Sequence, residues 1–218
     1  MRDAYQEDLD SIFASLAEIC ARVETAVATA TEALMNADAG RAEQVISADV
    51  EIDRAREDLD ERVFNLISLQ QPVAGDLRTM VAALRMSTEL ERMGDLSVHI
   101  AKVARLRVPE IAVPEPMRPI FSSMAQVAIT MVGSAHQIIT DRDVEGAIAL
   151  GRADEEMDDL RRRSFTELLS EDWSHGVEPA VDVALLGRYY ERIADHAVSL
   201  AHRVVFVVTG HVPDPVEA

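Results

Sequence analysis

Four of the chain's eight prolines, Pro109, Pro114, Pro116 and Pro119, fall within one eleven-residue window, and none occurs between Met1 and Gln71 or between Ile120 and Glu178. A proline ring removes a backbone donor and clashes with the preceding helical turn, so long proline-free tracts are where long helices can run. This distribution predicts two helical halves, residues 1–108 and 120–218, joined by a stiff linker at 109–119. Aromatic residues are only 4% of the chain, and no alternating Val, Ile or Thr segment is bounded by turns. A sheet is therefore not expected, and the chain reads as all-α.

Within the first half, Leu9, Ile12, Leu16, Ile19, Val23, Val27, Ala30 and Leu34 step by three or four, the spacing of one buried helix face. Asn36 to Gly40 interrupts that pattern. A second helix is predicted from about Arg41 to Leu69 on Val45, Ile52, Leu59, Val63 and Leu66, ending at Gln71-Pro72, and a third from about Gly75 to Val108. Three antiparallel helices can close a bundle.

The second half repeats the first. A shift of 105 residues lays Phe121, Met124, Ala128, Met131, Val132, Ala135, Ile138 and Ile139 over Leu16, Ile19, Val23, Ala26, Val27, Ala30, Ala33 and Leu34. It also lays Asp143, Asp154 and Asp158 over Asp38, Asp49 and Asp53. For the third helix the shift falls to 100, placing Tyr190-Glu191-Arg192-Ile193-Ala194-Asp195 over Leu90-Glu91-Arg92-Met93-Gly94-Asp95. Five residues are lost between helices, where loops absorb length changes cheaply. The expected fold is two tandem three-helix bundles related by an internal repeat.

Each copy carries an Asp-x-x-x-Asp on its second helix, Asp49/Asp53 and Asp154/Asp158, and a Glu-x-x-x-Asp on its third, Glu91/Asp95 and Glu191/Asp195. Residues four apart share one helix face, so each pair points two carboxylates the same way, and two facing helices would converge four. With 39 acids in 218 residues such pairs arise by chance; position and duplication give these their weight. On a helical wheel the third helix has one apolar stripe on Leu77, Met80, Val81, Leu84, Val98 and Leu106 and another on Met86, Met93 and Ile100. Glu91 and Asp95 fall on the first, and Glu191 and Asp195 fall on the matching stripe of Val177, Val181, Ala184, Val198 and Phe206.

Anions on an apolar stripe need compensation, because an unpaired buried carboxylate is costly and like charges raise each other's pKa. One remedy is pairing with arginines such as Arg78, Arg92, Arg188 and Arg192. The other is a hard cation held by oxygen ligands, such as Mg, Ca, Mn or iron. A di-iron or ferritin-type bundle would show Glu-x-x-His, and none of the six histidines has Glu three places before it.

Charge and composition narrow the partners. Lys plus Arg number 21 against 39 Asp plus Glu, a formal net charge of −18, which opposes the counterion-release binding that nucleic acids require and disfavours anionic membrane surfaces. The longest apolar runs, such as Val204 to Val208, are far short of the ~20 residues of a membrane-spanning helix. The acidic start Met1-Arg2-Asp3-Ala4-Tyr5-Gln6-Glu7-Asp8 is unlike a signal peptide, and Cys20 is the only cysteine. A soluble cytoplasmic protein is expected.

At the carboxylate motifs, and at Gln71-Pro72-Val73-Ala74-Gly75-Asp76-Leu77-Arg78 between helices, the chain resembles the PhoU family, regulators of the phosphate-specific transport system and of the phosphate-starvation response. The resemblance covers nearly the whole chain. It implies an all-α protein whose motifs bind metal ions, in some members iron or zinc clusters. On that basis Asp49, Asp53, Glu91 and Asp95 would form one site and Asp154, Asp158, Glu191 and Asp195 the other, taking Fe, Zn, Mg or Mn. It further implies a cytoplasmic negative regulator between the ATPase subunit of the phosphate ABC transporter and a sensor histidine kinase, and it leaves room for a homodimer. Family members often carry Asn-Ile-Ala after the third-helix motif, where this chain has His99-Ile100-Ala101 and Ser199-Leu200-Ala201.

Other residues carry weaker readings. His196 lies about 100° around the helix from Asp195 and should point away from a metal held there. Cys20 continues an apolar face and is expected to be an inert buried thiol. Arg161-Arg162-Arg163 reads as a solvated, salt-bridged face. No phosphate loop, nucleophile elbow or Cys-x-x-Cys occurs, so enzymatic activity has no support in the sequence. Metal storage in a carboxylate-rich bundle, or phosphotransfer through an exposed histidine such as His99 or His136, are the alternatives to a signalling role.

Overall fold

The computed structural model describes residues 2–211, with side chains from residue 7 onward; Met1 and residues 212–218 of the second repeat lie outside it. Six α-helices account for most of the described chain: α1 (Arg2–Asn36), α2 (Ala39–Gln70), α3 (Gly75–Arg107), α4 (Arg118–Asp141), α5 (Val144–Leu168) and α6 (Val177–Thr209). There is no strand among the described residues. Helix starts and stops follow local chemistry. Asp38 and Asp143, equivalent under the 105-residue shift, are both N-caps whose carboxylates accept from the backbone N–H three residues on, at Arg41 and Gly146, both at 3.0 Å. The residues that reverse the chain just before them, Ala37 and Arg142, both take left-handed conformations, with φ 50° and 53°.

The linker differs from expectation in two respects. Helix α4 begins at Arg118, inside the expected 109–119 linker, because Pro119 occupies the first helical turn, where its missing N–H costs nothing. The rest is a packed strap with a short 3-10 turn at Glu115–Met117, and it buries Ala112, Val113 and Met117.

Helices α1–α3 pack together, as do α4–α6, and the two sets also pack on each other through α1 against α4 and α3 against α6. Contacts at the helix ends show that these pairs run antiparallel. Arg118 at the start of α4 donates to the Met35 carbonyl at the end of α1 (3.0 Å), while Arg142 after α4 meets Asp10 near the start of α1 (2.5 Å). Arg107 at the end of α3 pairs with Asp182 in α6 (2.6 Å), and Arg78 at the start of α3 donates to the Val207 carbonyl near the end of α6 (3.1 Å).

The core is continuous across both repeats. It explains residues that a single buried stripe would not use. Phe13, Ala17 and Cys20 widen the buried face of α1, and the Cys20 thiol lies 3.5 Å from the Val132 carbonyl of α4. Tyr190, fully buried, places its hydroxyl 2.9 Å from that of Thr31 in α1.

Candidate metal centre

In the first repeat α2 and α3 bring Asp49, Asp53, Glu91 and Asp95 to the same groove. Asp49, Asp53 and Glu91 are half-buried and Asp95 is exposed. Close approach of the helices depends on Gly94: a Cβ there would stand 3.3 Å from Ile52 and 3.4 Å from the Asp49 carboxylate. Asp49 also lines an open groove of about 500 Å³ between α1, α2 and α3, together with Arg22, Thr25 and Thr29. Burial first, then the charges of Asp53 and Asp95 and more weakly Glu91, raise the Asp49 carboxyl to about 6; only Lys102 opposes them. The four carboxylates thus share one electrostatic neighbourhood, as the duplicated motifs predict.

The second repeat brings Asp154, Asp158, Glu191 and Asp195 together between α5 and α6 in the same way. Asp154 is raised to about 6 by burial, then by Asp195, Asp158 and Glu191. Its surroundings differ at Glu191. That side chain is buried, with 8% exposure, and each oxygen is held by an arginine: Oε1 by Arg161 at 2.5 Å and Oε2 by Arg188. Arg192 stands 4.0 Å from Asp195.

The stripe expected to bury these acids is a half-solvated edge. Leu77, Val81 and Leu106 are exposed in α3 although Met80 and Val98 of the same stripe are buried, and Val177 and Val181 are exposed in α6. The Met86, Met93 and Ile100 stripe of α3 is wholly in the core. The carboxylates other than Glu191 therefore sit where solvent and ions can reach them.

Of the arginines expected to compensate the acids, Arg188 and Arg192 do so, whereas Arg78 turns to the end of α6 and lies over the Phe206 ring. Arg161, read from the sequence as part of a solvated face, joins Arg188 on Glu191. A signal for it was present: in the first repeat the equivalent Arg56 is held at 2.9 Å by Asp60, and the position matching Asp60 in the second repeat is Phe165. Arg161 lies over that ring, 5.5 Å from its centroid, and reaches on to Glu191.

His196 points away from the α5–α6 cluster, as expected. It is buried, with Nδ1 2.6 Å from the Glu89 carboxylate of α3, and it links the two repeats. Hydrogen bonding to His196 holds the Glu89 carboxyl below its ordinary value against the opposing effect of burial. Cys20 is fully buried and its thiol is pushed up to about 12, chiefly by desolvation, which keeps it protonated. His99 is exposed and stacks on Tyr189 at 5.3 Å between centroids; His136 is half-buried.

The donor set in the first groove suits a hard cation: oxygen ligands only, on two rigid helices, with mutual repulsion that an ion would relieve. Among the described residues no group of three or more His, Cys, Asp and Glu side chains is arranged to hold a metal as it stands, so an ion would have to draw the carboxylates inward.

An all-α chain of two antiparallel helical repeats, each with an acidic cluster between its second and third helices, defines the class to which this protein belongs. The PhoU domain model matches it twice, at residues 16–104 and 121–204, and the chain belongs to the PhoU family. It is 45% identical over 213 residues to "Phosphate-specific transport system accessory protein PhoU homolog 2" of Mycobacterium tuberculosis, covering 98% of this chain and 100% of that one. It is 30% identical over 213 residues to the PhoU homolog of Rhizobium meliloti, covering 96% and 89%. The crystal structure of PhoU from Pseudomonas aeruginosa superposes with a TM-score of 0.86 at 26% identity, covering 97% of this chain and all of that one.

Proposed function

We propose that this chain is a non-enzymatic accessory protein of a phosphate transport system, acting in the cytoplasm as a negative regulator of phosphate uptake and of the starvation response. It relays the state of the transporter, through its ATPase subunit, to a sensor histidine kinase. The observation that carries the reading is the family match over both repeats, with relatives that align end to end and are named as accessory proteins of that transport system. Two features of the molecule agree with it. No helix among the described residues is long and apolar enough to cross a membrane, so contact with the transporter would be made from outside the bilayer. Large apolar residues are exposed at the α2–α3 turn (Leu69, Val73, Leu77) and near the α5–α6 turn (Leu169, Val177, Val181), and such patches are characteristic of surfaces that bind other proteins.

Within this reading Asp49, Asp53, Glu91 and Asp95 hold a cation, Fe, Zn, Mg or Mn, by their carboxylate oxygens. An ion there supplies positive charge to a cluster that otherwise repels itself. The chain's own residues do the rest: Gly94 admits α2 to close range, and the carboxylates of α2 and α3 are tied to a common centre. Pull-down of the tagged full chain from native cytoplasm at high and low phosphate tests the functional reading. Recovery of the transporter's ATPase subunit or of the sensor kinase is expected, and recovery of neither at either phosphate level contradicts it.

A further inference from the structure

The two acidic clusters look equivalent in sequence and are not equivalent in structure. Glu191 is more than nine-tenths buried, and both of its oxygens are taken by cationic side chains, Arg161 from α5 and Arg188 from its own helix. Glu91, its counterpart, is half-buried and has no arginine on it among the described residues. The difference traces to two positions. Arg56, which matches Arg161, is held by Asp60, and Asp60 is itself fixed by the Ser87 hydroxyl at 2.8 Å. The residue matching Arg188 is Thr88, whose hydroxyl is spent on the Leu84 carbonyl. In the second repeat Phe165 replaces Asp60 and Arg188 replaces Thr88, so two guanidinium groups are delivered to the motif glutamate.

We infer that the chain's own arginines occupy the ligand position of Glu191, making this a one-ended cation-binding protein: the first cluster binds a divalent cation tightly, and the second, reduced to Asp154, Asp158 and Asp195, binds it weakly. A carboxylate engaged by two arginines must give up charge-assisted hydrogen bonds before it can ligate a metal, and a cation entering beside two guanidinium groups meets like charge. Arg161 and Arg188 thus decide which repeat takes the ion. The tight site rests on the cation reading given above; the asymmetry between repeats rests on the ion pairs.

Mn²⁺ titration of the chelator-stripped full chain, read by calorimetry and by elemental analysis after dialysis, tests this directly. One tight equivalent is expected, lost in Glu91→Gln and retained in Glu191→Gln. Asp195→Asn, a milder change at a half-exposed position, should also retain it if Glu191→Gln folds poorly. The double variant Arg161→Met/Arg188→Thr should roughly double the tightly held metal, tightening the second site at least tenfold. Halving of the metal by Glu191→Gln or Asp195→Asn in the otherwise unaltered chain would overturn the asymmetry. So would a well-folded arginine double variant that gains no metal, whether or not the first site binds. A parent that holds no Mn²⁺ beside a double variant that does would support the role of the arginines and refute the cation reading of the first cluster.

Discussion

Asp49 is the residue whose chemistry depends most on its neighbours. Its carboxyl is raised to about 6, so the folded state binds this proton more tightly than the unfolded chain does. The contribution is favourable below the ordinary carboxylate range and is lost as pH rises through about 6. In metal-free protein Asp49→Asn should therefore stabilise the fold by about 1 kcal/mol above pH 7, after discounting for solvent screening, with no gain near pH 4; chelator-treated urea melts at both pH values check this. Equal effects at both would refute the raised carboxyl, which burial and then the neighbouring charges produce. Glu89 has the opposite sign. Its carboxyl is lowered by His196, so its contribution is present above the ordinary carboxylate value and is lost as pH falls through the lowered one. Glu89→Ala leaves a buried imidazole without its partner and should cost about 1–3 kcal/mol near neutral pH, read as a lower urea midpoint. At this scale the sequence made the motif carboxylates legible, because spacing alone fixes which side chains share a face. It did not reveal Arg161 on Glu191 or Glu89 on His196. Such contacts depend on rotamers and on which helix lies opposite, and periodicity carries neither.

At the scale of the helix, boundaries were nearly all readable. Pro72 and the Asn36–Gly40 break marked the ends of α1 and α2 within about two residues, and Pro119 marked the start of α4 once read as a first-turn residue rather than as linker. The duplicated Asp38 and Asp143, which travel with the motif acids under the same shift, proved to be caps. Replacing either by Ala should lower stability by about 0.5–2 kcal/mol and leave metal content unchanged, as thermal melts and elemental analysis would show; metal loss would mean that the caps also position the clusters. Which stripe of α3 faces the core was not legible. Two apolar stripes compete on the wheel; with α1, α2 and α6 all packed on α3, Met86, Met93 and Ile100 are buried and Leu77 and Leu106 are left in solvent. A helix packed by several partners needs more than one buried face, so its periodicity blurs.

Across the whole molecule the repeats are halves of one core. A fragment of residues 1–108 would expose the faces of α1 and α3 that α4 and α6 cover, and the internal repeat supplies a second copy as the nearest substitute. The fragment should sediment as a dimer and melt below the full chain; a stable monomer would show the bundles to be independent. Net charge acts at the same scale. At −18 the chain presents a repulsive field to inorganic phosphate, which agrees with the proposal that sensing lies with the transporter. Under the proposed function the chain would contribute a preference for partners in one transporter state, as any population shift requires. Starvation-gene expression in phosphate-rich medium, in cells lacking this chain, measures that claim directly. The account predicts that the genes stay on and that additional loss of the transporter does not turn them off; normal repression in the deletion strain would contradict it.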